Sequence, residues 1–339
     1  MNEQQKNELV KLIENDTSLK KNKALDIKSG NEWIQESKNT PIPKQLFDCL
    51  WYEGELCILY ADANLGKSIL AVQIGDSISK GKSFPGFKSE VEPQKVLYLD
   101  FELSSKQFEK RYSDNYQFHY QWSDNFYRAE IKQDLELDDK SKSFEELILS
   151  AIKQGVIDEN VQVVIVDNIT FLNTDNEKGK NALDLMKRLK KLKQELGISM
   201  LILAHTPKRN QYAPLSKNDL SGSRQIMNFC DSSFAIGESA ADPQFRYIKQ
   251  IKQRNTECIY HAHNIIVCQI KLIDSFLGFH FIQYDDEVAH LKQADSSDLE
   301  LRDEQIAELK SEGFKNTEIG RRLGISEGTV RSRLKKMGA

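Results

Sequence analysis

The sequence predicts an α/β protein: one large domain on a mainly parallel sheet with helices on both faces, followed by a small all-α module. Three observations carry that expectation. From Glu55 onward, short apolar runs rich in Val, Ile, Leu and Tyr alternate with helical stretches, and runs buried on both faces and joined by long crossovers are the mark of parallel strands. Near residue 300 the text changes to three short helical segments separated by Gly-containing turns. The length, 339 residues, leaves room for one core of roughly 200–250 residues with appendages, because single cores rarely grow further.

Composition narrows the class. The chain is 39% hydrophobic and 29% charged with a net charge of -4, which suits a globular protein without a uniformly basic surface. Any contact with nucleic acid must therefore be local. No run approaches the eighteen or so apolar residues of a membrane span, and the N-terminal MNEQQKNELVKL lacks the apolar centre of a secretion signal. A cytoplasmic protein with no membrane partner is expected. Cys49, Cys57, Cys230, Cys258 and Cys268 contain no CxxC pair and read as core thiols. Cys258, His261, His263 and Cys268 are of metal-ligand type, but their spacing fits no common zinc finger, so strand residues are expected there.

Residues 1–45 are polar, with one short amphipathic stretch (Leu9, Leu12, Ile13) before the breakers Pro41 and Pro43; they read as an arm. Residues 46–285 form the main domain. Its parallel strands are expected at Leu56 to Tyr60, Val96 to Leu99, Val163 to Val166, Met200 to Leu203 and Ser233 to Ile236. Between the second and third lies an aromatic patch, Tyr112, Tyr116, Phe118, Tyr120, Trp122, Phe126 and Tyr127, open to two readings: packing onto the sheet, or stacking on single-stranded bases. The runs Tyr247 to Ile251, Ile265 to Leu272 and Phe279 to Tyr284 are expected as antiparallel additions, the last two joined by a turn including Asp274, Ser275 and Gly278. Residues 286–300 are acidic and weakly patterned, a linker, and 301–339 are the all-α module.

The chemistry concentrates at Ala61, Asp62, Ala63, Asn64, Leu65, Gly66, Lys67 and Ser68, the segment ADANLGKS between the strand ELCILY and a helix. That strand-loop-helix context makes a phosphate-cradling loop. Backbone N–H groups and the helix N-terminus surround phosphates, Gly66 allows close approach, Lys67 neutralises charge, and the Ser68 hydroxyl ligates Mg²⁺. A second requirement, an acid ending a buried strand to hold the Mg²⁺ shell, is met by Asp167 in VQVVIVDN. ATP and Mg²⁺ are therefore the expected ligands. The residue after Asp167 is Asn168, not an acid, so the water-activating carboxylate must lie elsewhere. KVLYLDFELSS offers Glu102, with Asp100 as competitor.

Taken together, ADANLGKS, the glutamate of YLDFELS, VVIVDN and the polar end of LILAHTPK resemble the RecA-like P-loop ATPases of the RepA and DnaB hexameric-helicase branch over about residues 40–285. The resemblance implies that Glu102 polarises the attacking water and that His205 senses the γ-phosphate. It also implies that Lys252 and Arg254 of IKQIKQRN form a KxR motif reaching a neighbouring subunit's site, which demands a homo-oligomeric, hexameric ring. A guanidinium supplied in trans would stabilise transition-state charge. The long loop TPKRNQYAPLSKNDLSGSR corresponds to the family's DNA-contacting loop, so Lys208, Arg209 and Lys217 are expected to track the backbone of single-stranded DNA in the ring channel.

In residues 301–339, Gly313 is expected to end the first helix, Thr317 to cap the second, Gly324 to break it and Ser326 to cap the third. Ile306, Leu309, Ile319, Leu323, Ile325, Val330 and Leu334 supply a small core, leaving Thr329, Ser332, Arg333 and Lys336 outward, flanked by Arg331 and Lys335. That face suits a major groove, and EIGRRLGISEGTVRSRL resembles helix-turn-helix domains of the sigma-factor region 4 and response-regulator type. The combined expectation is a replicative helicase or ATPase of a mobile element, docked to duplex DNA by its helix-turn-helix. The alternatives are an ATP-gated DNA-binding regulator or a recombination or defence ATPase.

Overall fold

The computed structural model describes residues 25–131, 143–169, 180–206, 209–220, 223–293 and 296–338. The chain divides into two units, Met1–Pro43 and Lys44–Ala339. In the first, helix α1 (Gly30–Ser37) starts at a capping box in which Ser29 accepts from the Glu32 N–H and Glu32 reaches back to the Ser29 N–H. The stretch holding Leu9, Leu12 and Ile13 lies outside the described residues.

The second unit opens with β1 (Gln45–Phe47) and β2 (Trp51–Tyr52), a small antiparallel pair. The chain then runs through β3 (Leu56–Ala61), α2 (Lys67–Lys80), β4 (Val96–Asp100), α3 (Ser105–Arg111), the hairpin β5 (Ser113–Asp114) and β6 (Phe118–His119), and β7 (Phe126–Ala129). Next come α4 (Phe144–Glu159), β8 (Val163–Asp167), α5 (Lys180–Leu196), β9 (Ser199–His205), α6 (Ser223–Phe229) and β10 (Ser232–Glu238). After β11 (Phe245–Lys252), β12 (Ile265–Ile273) and β13 (Phe276–Asp285) the chain ends in α7 (Ser296–Ser311), α8 (Asn316–Leu323) and α9 (Glu327–Met337).

Nine strands form one sheet in the order β13-β12-β11-β10-β3-β9-β8-β4-β7. The members from β10 to β7 pair in parallel, while β11, β12 and β13 add antiparallel at one edge. The fold is the expected α/β core, a mainly parallel sheet with helices on both faces. Alternation sorts side chains to two faces: Leu56, Ile58 and Tyr60 pack with Ile152, Leu185 and Leu189 of α4 and α5, whereas Cys57, Leu59 and Ala61 pack with Leu70, Ile74 and Ile78 of α2.

Several local expectations shift. The strand β7 was not anticipated; its Phe126 stacks on Trp122 at 4.8 Å, and Tyr112, Tyr120 and Phe276 close on the same indole. Most of the aromatic patch therefore packs onto the sheet, leaving Tyr116 and Phe118 exposed on the β5–β6 hairpin. Gly278 lies within β13 opposite Lys271, not in the turn. The turn is the two-residue Asp274-Ser275, both left-handed, as a tight hairpin requires. The expected linker 286–300 holds a 3₁₀ turn, Glu287–His290, and the start of α7. Glu287 is fully buried, ion-paired to Lys249 at 2.5 Å and accepting from the Leu215 N–H at 2.6 Å. This segment is thus fastened to the sheet and to the loop after β9.

Candidate active site

The site forms where β3, β4, β8 and β9 end together, because parallel strands deliver their C-terminal loops to one edge. At the end of β3 the backbone takes left-handed conformations at Asn64 (φ 63) and Gly66 (φ 90), which turns successive N–H groups inward. Gly66 is required by its φ; a Cβ there would also meet Ile270 Cδ1 at 2.7 Å and displace that side chain. Helix α2 begins immediately afterwards with no side-chain cap, so its first N–H groups remain available to an anion.

Lys67 is buried, and Nζ donates to the carbonyls of Ala61 and Asp62, each at 3.0 Å. Burial pushes its pKa down, opposed by the carboxylates of Asp167, Glu102 and Asp62. Its third contact is His205 Nδ1 at 3.2 Å. An ammonium only donates, so Nδ1 accepts and Nε2 carries the hydrogen. That hydrogen faces Glu102 Oε1, 3.4 Å away. The Asn168 amide donates to the same Glu102 Oε1; its nitrogen, 3.0 Å from His205 Nε2, is a second donor to that oxygen and not a partner of the ring. Lys67, His205, Asn168 and Glu102 thus form one connected set running from the phosphate loop to the turn after β4.

The two competing carboxylates separate cleanly. Asp100 is buried, held by two nitrogens of Arg128 at 2.9 Å, and accepts the backbone N–H groups of Glu102 (3.2 Å) and Leu103 (2.9 Å). It shapes the turn that presents its neighbour. Glu102, with 41% of its side chain exposed, faces the cleft, and only it can meet a water there.

Asp167 ends β8, 1% exposed. Burial pushes its carboxyl up to about 6, opposed by hydrogen bonds from Ser68 and from Tyr98, whose hydroxyl donates at 2.6 Å. A carboxylate beside a hydroxyl is the hard oxygen set that Mg²⁺ takes, and the uncapped helix with a glycine cradle fits a triphosphate; Ser68 and Asp167 would hold the ion. The cleft over Gly66, Lys67, Ser68, Glu102 and His205 has a volume of about 410 Å³. Arg111, at the end of α3, lines it too; sequence reading missed it, although it follows Glu102 on the next helix. Ala61 ends β3, Ala63 and Asn64 line the cleft, Leu65 is buried, and Asp62 accepts from the Thr206 hydroxyl.

Lys252 and Arg254 lie elsewhere. Arg254 pairs with Asp231 at 3.2 Å, and Asp231 accepts from the N–H of Leu56, the first residue of β3. The phosphate loop follows the last residue of that strand, about 17 Å away at 3.3 Å per residue. Lys252 donates to the carbonyls of Met227 (2.6 Å) and Cys230 (2.7 Å), capping the end of α6. Of the loop after β9, Lys208 lies outside the described residues, Lys217 is exposed, and Arg209 donates to the Ala213 carbonyl.

In the C-terminal module Ile306, Ile319, Val330 and Leu334 form the core with Leu309, Phe314, Leu323 and Ile325 around it. Gly313 and Gly324 are left-handed, and Ser326 accepts the Thr329 N–H at 3.0 Å. Helix α8 begins one residue before Thr317, with Lys315 in the cap position and no side-chain cap. On α9, Ser332, Lys335 and Lys336 are exposed, and Arg331 is exposed beside Glu327 at 2.7 Å. Thr329 is half-buried with its hydroxyl 2.8 Å from that of Ser326. Arg333 turns inward instead, gripping Asp303 of α7 at 2.5 and 2.7 Å, because its position falls next to α7 rather than opposite it.

Among the described residues, no helix is long and apolar enough to cross a membrane. Among curated proteins, none matches the chain significantly. Of solved structures, a KaiC-like protein from the hyperthermophilic archaeon Pyrococcus horikoshii OT3 is similar: 14% identical, with a TM-score of 0.45, over 68% of this chain and 91% of that one. The family model for the AAA domain matches residues 22–211, a span that contains the phosphate loop, Glu102, Asp167 and His205, and the chain belongs to the AAA domain family.

Proposed function

We propose that this protein hydrolyses ATP to drive movement on single-stranded DNA, as a homo-oligomeric ring of the RepA and DnaB type, and that its helix-turn-helix delivers it to a duplex site such as a mobile-element origin. The observation that carries the reading is the connected set Lys67, His205, Asn168 and Glu102. It ties the phosphate loop to a water-activating carboxylate just past the end of β4, distinct from the acid Asp167.

In this reading Lys67 leaves the loop carbonyls for the phosphates of ATP and thereby releases His205, whose Nε2–H and the Asn168 amide hold Glu102 in place. Glu102 accepts the proton of the attacking water. Ser68 and Asp167 would hold Mg²⁺, which would supply charge neutralisation at the phosphates. In this reading Arg254, exposed at the end of the strands opposite the phosphate loop, serves a neighbour's site, and Lys252 steadies the end of α6. On α9, Arg331, Ser332, Lys335 and Lys336 provide the duplex-facing group, with Thr329 beside them.

Unwinding of a forked duplex tests the proposal. ATP-dependent strand release, lost in Arg254→Ala and restored by mixing with Lys67→Ala subunits, supports it. Tight ATP-dependent duplex binding without strand release would favour the ATP-gated regulator.

A further inference from the structure

Between the loop after β9 and the C-terminal helices lies a cleft of about 550 Å³ that the active site does not use. Its lining includes Arg209, Lys292, Arg302, Arg321 and Arg322, against the single carboxylate of Asp62. Such a surplus is unexpected in a chain of net charge -4. Its cations are also poorly neutralised. Among the described residues Arg209, Lys292 and Arg302 have no carboxylate within ion-pair distance, while Arg321 and Arg322 share Glu318, at 2.8 and 3.1 Å. The Arg209 Nη1 is buried without a hydrogen-bond partner, and Arg302 sits over the Tyr212 ring at 4.9 Å.

We infer that this cleft binds the phosphodiester backbone of single-stranded nucleic acid, so that one strand engages the ATPase domain and the turn of the helix-turn-helix together. The inference rests on the DNA-acting reading above; it shares Arg209 with the loop already expected to meet single-stranded DNA and extends that contact to Lys292 and the C-terminal helices. Concave walls lined with one sign of charge focus the field and concentrate a polyanion. The combination of guanidinium groups with an aromatic ring suits single strands, whose phosphates and bases are both reachable. The exposed Ser332, Lys335 and Lys336 of α9, assigned above to duplex DNA, lie outside its lining. Asp62 belongs to the phosphate loop and accepts from Thr206, so a strand in the cleft would touch the loop that holds ATP.

The test is the salt dependence of binding of labelled oligo-dT to the full chain, by fluorescence anisotropy, in the native protein and in the triple variant Arg302→Ala/Arg321→Ala/Arg322→Ala. Three lost phosphate contacts should lower the magnitude of the log–log salt slope by about 2, and affinity at 0.1 M salt should fall at least about tenfold. Lys292→Glu, at an exposed position, gives a second reading with a smaller fall in slope and no demand on folding; thermal melting checks that the triple variant is folded. A native slope in both variants overturns the inference while leaving the DNA-acting reading intact. Failure of the native chain to bind oligo-dT at all overturns both.

Discussion

Replacing Glu102 with Gln separates chemistry from structure, because Asp100 two residues earlier is its internal control. Glu102 is 41% exposed, and glutamine keeps an oxygen for His205 and Asn168, so the fold should lose no more than about 0.5 kcal/mol. Loss of a general base should slow turnover by about 10²–10⁴-fold, or roughly 3–5 kcal/mol of barrier, with ATP binding retained. Asp100→Asn should do the reverse. Asp100 is fully buried and Arg128 only 16% exposed; Asn keeps an oxygen and Arg128 keeps Glu130 and the Leu103 carbonyl, so losing the charge of this buried hydrogen-bonded pair should cost about 1.5–3 kcal/mol, a fall in melting temperature of about 5–10 °C for a domain of this size. Phosphate release, fluorescent-nucleotide titration and thermal melting of both variants decide the matter. Turnover within threefold of native in Glu102→Gln, or loss of turnover in Asp100→Asn without loss of stability, would refute the assignment.

Other perturbations follow from the same geometry. Gly66→Ala forces a side chain into a left-handed backbone at φ 90 with its Cβ 2.7 Å from Ile270, so ATP affinity, read by nucleotide titration, should fall at least about tenfold. The Asp167 carboxyl is raised by burial to about 6 from 3.8, so it favours the nucleotide-free fold below pH 4 and loses that contribution as pH rises through 6. Relative to Asp167→Asn, the native chain should therefore lose on the order of 2–3 kcal/mol between pH 4 and pH 7, and removing Mg²⁺ from the nucleotide-bound protein should uncover that loss; parallel melting curves for the two proteins would contradict it. Glu287→Ala leaves Lys249 buried without its counter-charge and removes the acceptor of the Leu215 N–H; a loss of about 3–5 kcal/mol in chemical denaturation is expected.

Much of the core was legible because its signals are local. A strand, a glycine-containing loop and a helix stand consecutively at residues 56–80, and alternation of buried runs with helices suffices for a parallel sheet. The pairings that decide roles are not local. Nothing near Asp100 announces Arg128, 28 positions away, which makes one carboxylate structural and frees Glu102 for the cleft. Likewise Arg333 reads as outward-facing on a 3.6-residue repeat until Asp303 of α7 takes it, and Lys252 reads as a free cation until the carbonyls at the end of α6 appear beside it. The linker was misjudged because Glu287 is an acid in an acidic stretch; only the fold supplies Lys249. Strand β7 escaped because a run dense in rings shows no alternation.

The most direct test of the central claim is steady-state ATP hydrolysis by the full chain in Mg²⁺, alone and with single-stranded DNA, with Lys67→Ala measured alongside. Mg²⁺-dependent turnover is expected, stimulated severalfold or more by single-stranded DNA and abolished by Lys67→Ala in both conditions. Turnover that persists in Lys67→Ala, or that is indifferent to single-stranded DNA, would contradict that claim.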